Sequence, residues 1–155
     1  MGHDGAVTTL LEIMAAYFQE QQWTFEQATD RPLLRLPFDH RGEGWTCYAE
    51  AREAQHRVIF YAVPPVTVPE HRRAAAAELI ARANFGVTIG NLELDFADGE
   101  VRCKTSLDVT GDRLSPALMH SLVLANLKVM HHYLPAVKAV IAGATPADAI
   151  ARAGG

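Results

Sequence analysis

The acidic turn Asp98-Gly99-Glu100, in the stretch FADGEVRCKTSLDV, is the part of the chain that most resembles a ligand site. Carboxylates beside a glycine are typical of calcium loops, in which oxygen ligands recur at alternate positions. Such a loop here would need oxygen ligands at Asp95, Ala97 and Gly99, and two of these three residues have no side-chain oxygen. The alternation of apolar and polar residues around the turn instead predicts a hairpin with a two-residue Asp98-Gly99 loop.

This predicted hairpin has a definite register, because a two-residue loop sets which residues face each other. Apolar side chains then share one face, and oppositely charged pairs lie on the other face. The expected apolar pairs are Phe96–Val101, Leu94–Cys103 and Leu92–Thr105, and the expected charged pairs are Asp95–Arg102 and Glu93–Lys104. We therefore interpret the acidic turn as structural.

The histidines and cysteines are the next candidates, because both can bind metal ions. His131 and His132 point about 100° apart on a helix, and His120 lies about 16 Å from His131 along the axis. Cys47 and Cys103 lie far apart in strand-like runs without a Cys-x-x-Cys motif. We expect the cysteines to be buried and reduced, and we expect no metal ion and no cofactor.

Nucleophile and phosphate motifs give no stronger signal. Ser106, Ser115 and Ser121 lack a Gly-x-Ser-x-Gly frame, and the glycines of NFGVTIGN neither form a Gly-x-Gly-x-x-Gly run nor open a helix. The sequence thus contains no catalytic signature, and we expect a protein that is not an enzyme.

Composition restricts the class of protein further. The chain has 155 residues, of which 49% are hydrophobic and 21% are charged, as expected for a single folded domain over residues 1–155. The net charge is -4 and no basic cluster is longer than His71-Arg72-Arg73, which argues against a nucleic-acid partner. No apolar run approaches the roughly 20 residues of a membrane span, and the first residues lack signal-peptide features. We expect a cytoplasmic protein.

Periodicity predicts the elements that would position these residues. Apolar residues at three- and four-residue spacing predict a first helix over 7–22. WTFEQ, PLLRLPF, GWTCYAEAREA and HRVIFYAVPP read as three or four antiparallel strands, and PEHRRAAAAELIARAN reads as a central helix. The predicted hairpin follows, and Ser115 and Pro116 then begin a long helix that Pro135 should kink or break. Thr145 and Pro146 would start a short, loosely held helix in the tail.

The element order predicts an α+β fold with two layers, in which helices pack on one face of an antiparallel sheet. Asn84 ends the central helix, Gly90 opens the hairpin, and LSPALMHSLVLANLKVMHHYLPAVKAVI ends the fold. Over residues 9–142 these landmarks resemble the YbjN-domain family, whose proposed role is bacterial sensory transduction and whose fold is similar to type III secretion chaperones. The tail, 143–155, lies outside the resemblance.

The resemblance implies a non-enzymatic regulator or chaperone-like module. It also implies a homodimer that binds segments of partner proteins on its sheet and helix surfaces. No catalytic residues are carried over from the family. A small-ligand sensor with an apolar pocket, or an enzyme without a recognised signature, remains an alternative.

The alanine run at 74–77 in the central helix is the sequence's own suggestion of a dimer. Small side chains allow close approach of a second copy across a two-fold axis, although the helix propensity of alanine explains the run equally well. The candidate dimer or partner surface is a stripe at helical spacing, formed by Ala75, Ala76, Leu79, Ile80 and Ala83. Part of this stripe should also serve the protomer's own core.

Overall fold

The computed structural model describes residues 7–154, which form a six-stranded antiparallel sheet with four α-helices. The strand order is β1-β2-β3-β4-β6-β5. The helices are α1 (Leu10–Glu20), α2 (Arg73–Gly86), α3 (Pro116–Ile141) and α4 (Pro146–Arg152), and the strands are β1 (Glu26–Gln27), β2 (Leu33–His40), β3 (Glu43–Arg52), β4 (Arg57–Val63), β5 (Asn91–Leu94) and β6 (Val101–Asp108). The predicted α+β architecture is confirmed.

One face of the sheet forms the core with the helices. The row Leu36–Cys47–Ala62–Cys103–Leu92 crosses five strands, and all five residues belong to the buried core. Both cysteines are buried and free, as expected, and burial raises the pKa of each thiol to about 12. These thiols are therefore packing residues rather than nucleophiles at neutral pH.

Polar contacts fix the long helix α3 on this core. Asn126 is fully buried, and its Nδ2 donates to the carbonyl oxygens of Phe60 and Cys103 at 2.9 and 3.0 Å. Ser115 caps α3 as predicted, and of the kink or break predicted at Pro135 the break does not occur, because one helix runs from Pro116 to Ile141. Among residues 7–154, no helix has the length and apolar character that a membrane crossing requires.

The tail helix α4 is present and packs against the core. Thr145 caps it by accepting a hydrogen bond from the amide of Asp148 at 3.2 Å. Ala149 is buried, and the Arg72 guanidinium donates to the carbonyl oxygens of Val140 and Ala144 at 2.8 and 2.6 Å. These contacts attach the end of α3 and the start of the tail to the segment that leads into α2.

The predicted register of the β5–β6 hairpin is wrong by two residues. Leu94 pairs with Val101 and Leu92 with Cys103, so residues 95–100 form a six-residue connection instead of a two-residue loop. Since side chains alternate with a period of two, the apolar residues of the two strands still lie on the predicted face. Phe96, expected on that face, lies in the connection and is 57% exposed.

The connection is longer because a distant segment holds it. The amide of Val68 donates to the carbonyl oxygen of Gly99 at 2.9 Å, and Thr67 forms a bridge with Glu100. Gly99 has φ +82, and a Cβ there would collide with the Val68 backbone. The acidic turn is thus structural, as predicted, although its geometry differs from the predicted loop.

Candidate partner-binding surfaces

The face of the sheet opposite the helices is the largest candidate surface. We call it the open face. It consists of the outward side chains Leu33, Arg35, Thr46, Tyr48, Glu50, Ile59, Tyr61, Val63, Arg102 and Lys104. None of these side chains belongs to the core cluster that the helices form with the sheet. Within the described residues, the open face is therefore available to another molecule.

Long polar side chains shield the apolar centre of the open face. Leu33, Ile59 and Tyr61 are only 8%, 6% and 9% exposed, although no helix within residues 7–154 packs on them. The guanidinium of Arg102 lies 4.4 Å from the centre of the Tyr61 ring, a cation–π distance. Because an exposed ion pair or cation–π contact contributes only about 0.2–1 kcal/mol, a partner could displace these side chains and reach the apolar residues beneath them.

Ion pairs hold these shielding side chains in place. Glu93 on β5 binds both Arg102 at 2.9 Å and Lys104 at 3.0 Å, whereas separate Asp95–Arg102 and Glu93–Lys104 pairs were expected. Burial alone would raise the pKa of Glu93, but the hydrogen bonds from Lys104 and Arg102 outweigh burial and lower it. Glu93 is therefore ionised at neutral pH.

Two shallow grooves continue across the open face towards the acidic turn. One has a volume of about 240 Å³, and its lining includes Tyr48, Tyr61, Glu100 and Arg102. The other has a volume of about 410 Å³, shares Glu100 and Arg102 with the first, and is also lined by Phe96. Together they offer aromatic rings flanked by charges of both signs, which suits recognition of a polypeptide.

The two sheet edges offer little to an incoming strand. At the β5 edge, the side chain of Asn84 accepts from the amide of Leu92 at 2.8 Å and donates to its carbonyl oxygen at 3.0 Å. At the other edge, β1 pairs only with Leu34 and Arg35 of β2, and further along β2 Pro37 has no backbone N–H to offer an added strand. Since strand addition needs a row of free backbone groups, the faces are better candidates than the edges.

The stripe expected on α2 faces the protomer's own core. Ala76, Leu79, Ile80 and Ala83 are between 0 and 8% exposed, and only Ala75 is partly exposed. As expected from the sequence, part of the stripe serves the protomer's own core. Contact of Ala75 with a second copy stays a prediction.

A second apolar surface, which sequence reasoning missed, lies where α2 ends. Phe85 is 96% exposed and Ile89 is 58% exposed. Next to Phe85 in the chain, residues 86–89 form one wall of a groove of about 470 Å³, and α3 forms the other. The wall on α3 consists of Ala125, Lys128, Val129, His132 and Tyr133. We call this the Phe85 surface. The sequence feature that could have revealed this surface is Phe85 itself, an aromatic residue among the residues that end α2, where it does not pack on the core.

The three candidate histidines on α3, His120, His131 and His132, lie in three separate environments. The Nδ1 of His131 lies 2.7 Å from the Nε2 of His40, whereas His132 packs edge-on against Tyr133. The Nδ1 of His120 lies 3.4 Å from the hydroxyl of Tyr17. Burial, and then the neighbouring His40, Arg41 and His132, lower the pKa of His131. No three His, Cys, Asp or Glu side chains group around a common point in the part of the chain that is described.

Comparisons with known proteins agree with this fold. The family model "YbjN: Putative bacterial sensory transduction regulator" matches residues 10–139. The structure titled "Crystal structure of YbjN, a putative transcription regulator from E. coli" is similar, with a TM-score of 0.59 and 16% identity over 81% of this chain and 94% of that chain.

A second solved structure, "Structure of the HopA1-SchA Chaperone-Effector Complex", has a TM-score of 0.48 and 15% identity over 76% of this chain and 87% of that chain. No curated protein matches the chain. Because the family model spans most of the sequence, the chain belongs to the YbjN family.

Proposed function

We propose that this protein is a non-enzymatic regulator that binds segments of a partner protein on the open face and acts as a homodimer. The observation that carries the proposal is the row Arg35–Tyr48–Tyr61–Lys104, which crosses four strands on a face that no described helix occupies. Tyrosine and arginine are enriched in protein interfaces because they offer large, amphipathic contact areas. The family description as a sensory transduction regulator supports a binding role.

The closed edges indicate how the partner is recognised. Asn84 occupies the backbone groups of Leu92, so a partner segment gains little by adding a strand at β5. Side-chain contacts with Tyr48, Tyr61 and Val63 remain available. Specificity then depends on which partner side chains fit between the tyrosines and the charges beside them.

Affinity capture with matched variants tests the binding face. Tyr48→Asp places a charge at the centre of the open face, whereas Ser121→Asp places one on an exposed turn of α3. We expect a bacterial extract to yield a partner with the wild type and with Ser121→Asp, but not with Tyr48→Asp. A partner that binds Tyr48→Asp as well as the wild type would exclude the open face.

The Phe85 surface supports the homodimer part of the proposal. An almost fully exposed phenylalanine lies beside an apolar groove, so one patch carries both a projection and a recess. A two-fold symmetric interface requires such a self-complementary patch. Burial of two Phe85 side chains, each about 150–250 Å², would supply about a quarter of a standard interface.

Light scattering at micromolar concentration tests the dimer. We expect Phe85→Ser to convert the dimer into a folded monomer, because Phe85 makes no core contact. Ala75→Glu tests the stripe on α2 in the same way. If the wild type is a monomer at every accessible concentration, the homodimer is excluded while the open-face proposal stands on its own test.

A further inference from the structure

His40 and His131 meet in space although they are distant in sequence. His40 ends β2 and His131 lies on α3. Their nitrogens, Nε2 of His40 and Nδ1 of His131, are 2.7 Å apart, and their ring centres are 4.6 Å apart. This pair is separate from both the open face and the Phe85 surface.

The distances between the two rings can be compared with those of rings that bind one metal ion. With metal–nitrogen bonds of about 2.05 Å, ligands at right angles place the nitrogens about 2.9 Å and the ring centres about 4.5 Å apart. Tetrahedral ligands need about 3.4 and 5.3 Å. A straight hydrogen bond between the rings would place their centres about 5.0 Å apart. The observed nitrogen separation of 2.7 Å is that of a hydrogen bond between the rings, and the ring-centre separation of 4.6 Å is closer to the right-angled than to the tetrahedral arrangement.

We propose that His40 and His131 form a two-histidine site for a divalent transition-metal ion that favours right-angled nitrogen ligands, namely Cu²⁺ or Ni²⁺. Square-planar and tetragonal nitrogen sites are characteristic of these two ions. Water completes the coordination, because Glu43 in the same pocket is paired with Lys138 and the described residues hold no group of three potential metal ligands. A bound ion would join the β2–β3 hairpin directly to α3.

Neighbouring residues restrict the positions of the two rings and set the charge around them. The ring of His40 stacks on Trp45 at 4.7 Å, which limits its rotation. His131 is carried by a long helix, so its backbone position is fixed. Nearby, Lys138 and Glu43 form an ion pair at 2.9 Å and neutralise each other, while the positive charge of Arg41 opposes a cation and weakens the affinity.

Calorimetric titration with Cu²⁺, Ni²⁺ and Zn²⁺ at slightly alkaline pH tests the site. His3 lies outside the described residues and is replaced by Ala in every protein, so that it cannot bind the added metal. His40→Phe removes the ligand and keeps an aromatic ring on Trp45, and His131→Ala removes the other ligand. His132→Ala is the matched control, because its ring packs on Tyr133 instead.

We expect one Cu²⁺ or Ni²⁺ ion per chain, with Ni²⁺ binding more tightly than Zn²⁺. Affinity should fall at least tenfold in His40→Phe and in His131→Ala, and it should stay unchanged in His132→Ala. Cu²⁺ should also quench the fluorescence of Trp45 in a protein that carries Trp23→Phe. The proposal would be overturned if the metal still bound after loss of His40 or of His131, or if His132→Ala lost as much metal affinity as these two variants. Zn²⁺ binding as tight as that of Ni²⁺ would also overturn it.

Discussion

Asn84 and Leu92 form a reciprocal pair of hydrogen bonds between a helix end and a strand edge. The Asn84 side chain accepts from the Leu92 amide at 2.8 Å and donates to the Leu92 carbonyl oxygen at 3.0 Å. Its amide thus takes the place of a neighbouring strand. Asn84, in the last turn of α2, therefore also satisfies the outward backbone groups of Leu92 on the edge strand β5.

Loss of this pair should destabilise the protein and open the β5 edge. We expect Asn84→Ala to lower the free energy of unfolding by about 1–2 kcal/mol, because two backbone groups lose their partners. The newly free edge should also increase self-association on standing. Urea denaturation and light scattering measure the two effects. Ser121→Ala, an exposed change on α3 away from both the β5 edge and the Phe85 surface, should alter neither.

Gly99 should be the residue of the acidic turn that tolerates substitution least. Gly99→Ala introduces a Cβ into the Val68 backbone at a positive φ, so it should cost about 2 kcal/mol or more. Asp98→Asn keeps the side-chain oxygen that accepts from the Glu100 amide at 2.9 Å and should be nearly neutral. Thermal melts compare the two. Equal losses would indicate that the carboxylate of Asp98 has a role beyond the turn.

Acid should remove the contribution of Glu93 to stability. The pKa of Glu93 is lowered in the folded protein, so its stabilisation is complete above the unfolded-state pKa and disappears as the pH falls through the folded-state value. Glu93→Gln should therefore cost stability at neutral pH and little in acid. The cost should be below about 1 kcal/mol, because solvent screens the cluster. Denaturation across a pH series tests this, with Glu20→Gln as an exposed control. A cost that does not change with pH would contradict the ion-pair account.

Local patterns in the sequence predicted most of the fold. The period of two in β3 and β6 identified the faces, and the cap at Ser115 identified the start of α3. The hairpin register was missed because Val68, which is distant in sequence, determines the geometry of the connection at Gly99. No pattern within residues 95–100 contains that information.

The candidate surfaces were harder to predict than the fold. Adjacent histidines drew attention to His132, whereas the partner of His131 is His40 on a strand near the other end of the chain. The alanine run on α2 indicated small residues but not the direction they face, and Ala76 proved to be buried. Phe85 is 96% exposed, and the groove beside it depends on the position of α3, which periodicity alone does not give.

Site-specific photo-cross-linking in living bacteria tests the open face most directly. A photoreactive phenylalanine analogue replaces Tyr48 on the open face or, in a matched protein, Leu124 on the exposed side of α3. We predict a covalent adduct between the probe at position 48 and a second, different polypeptide, with no such adduct from position 124. An adduct to a different polypeptide from position 124 alone, or none from position 48, would contradict the proposal that the open face binds the partner.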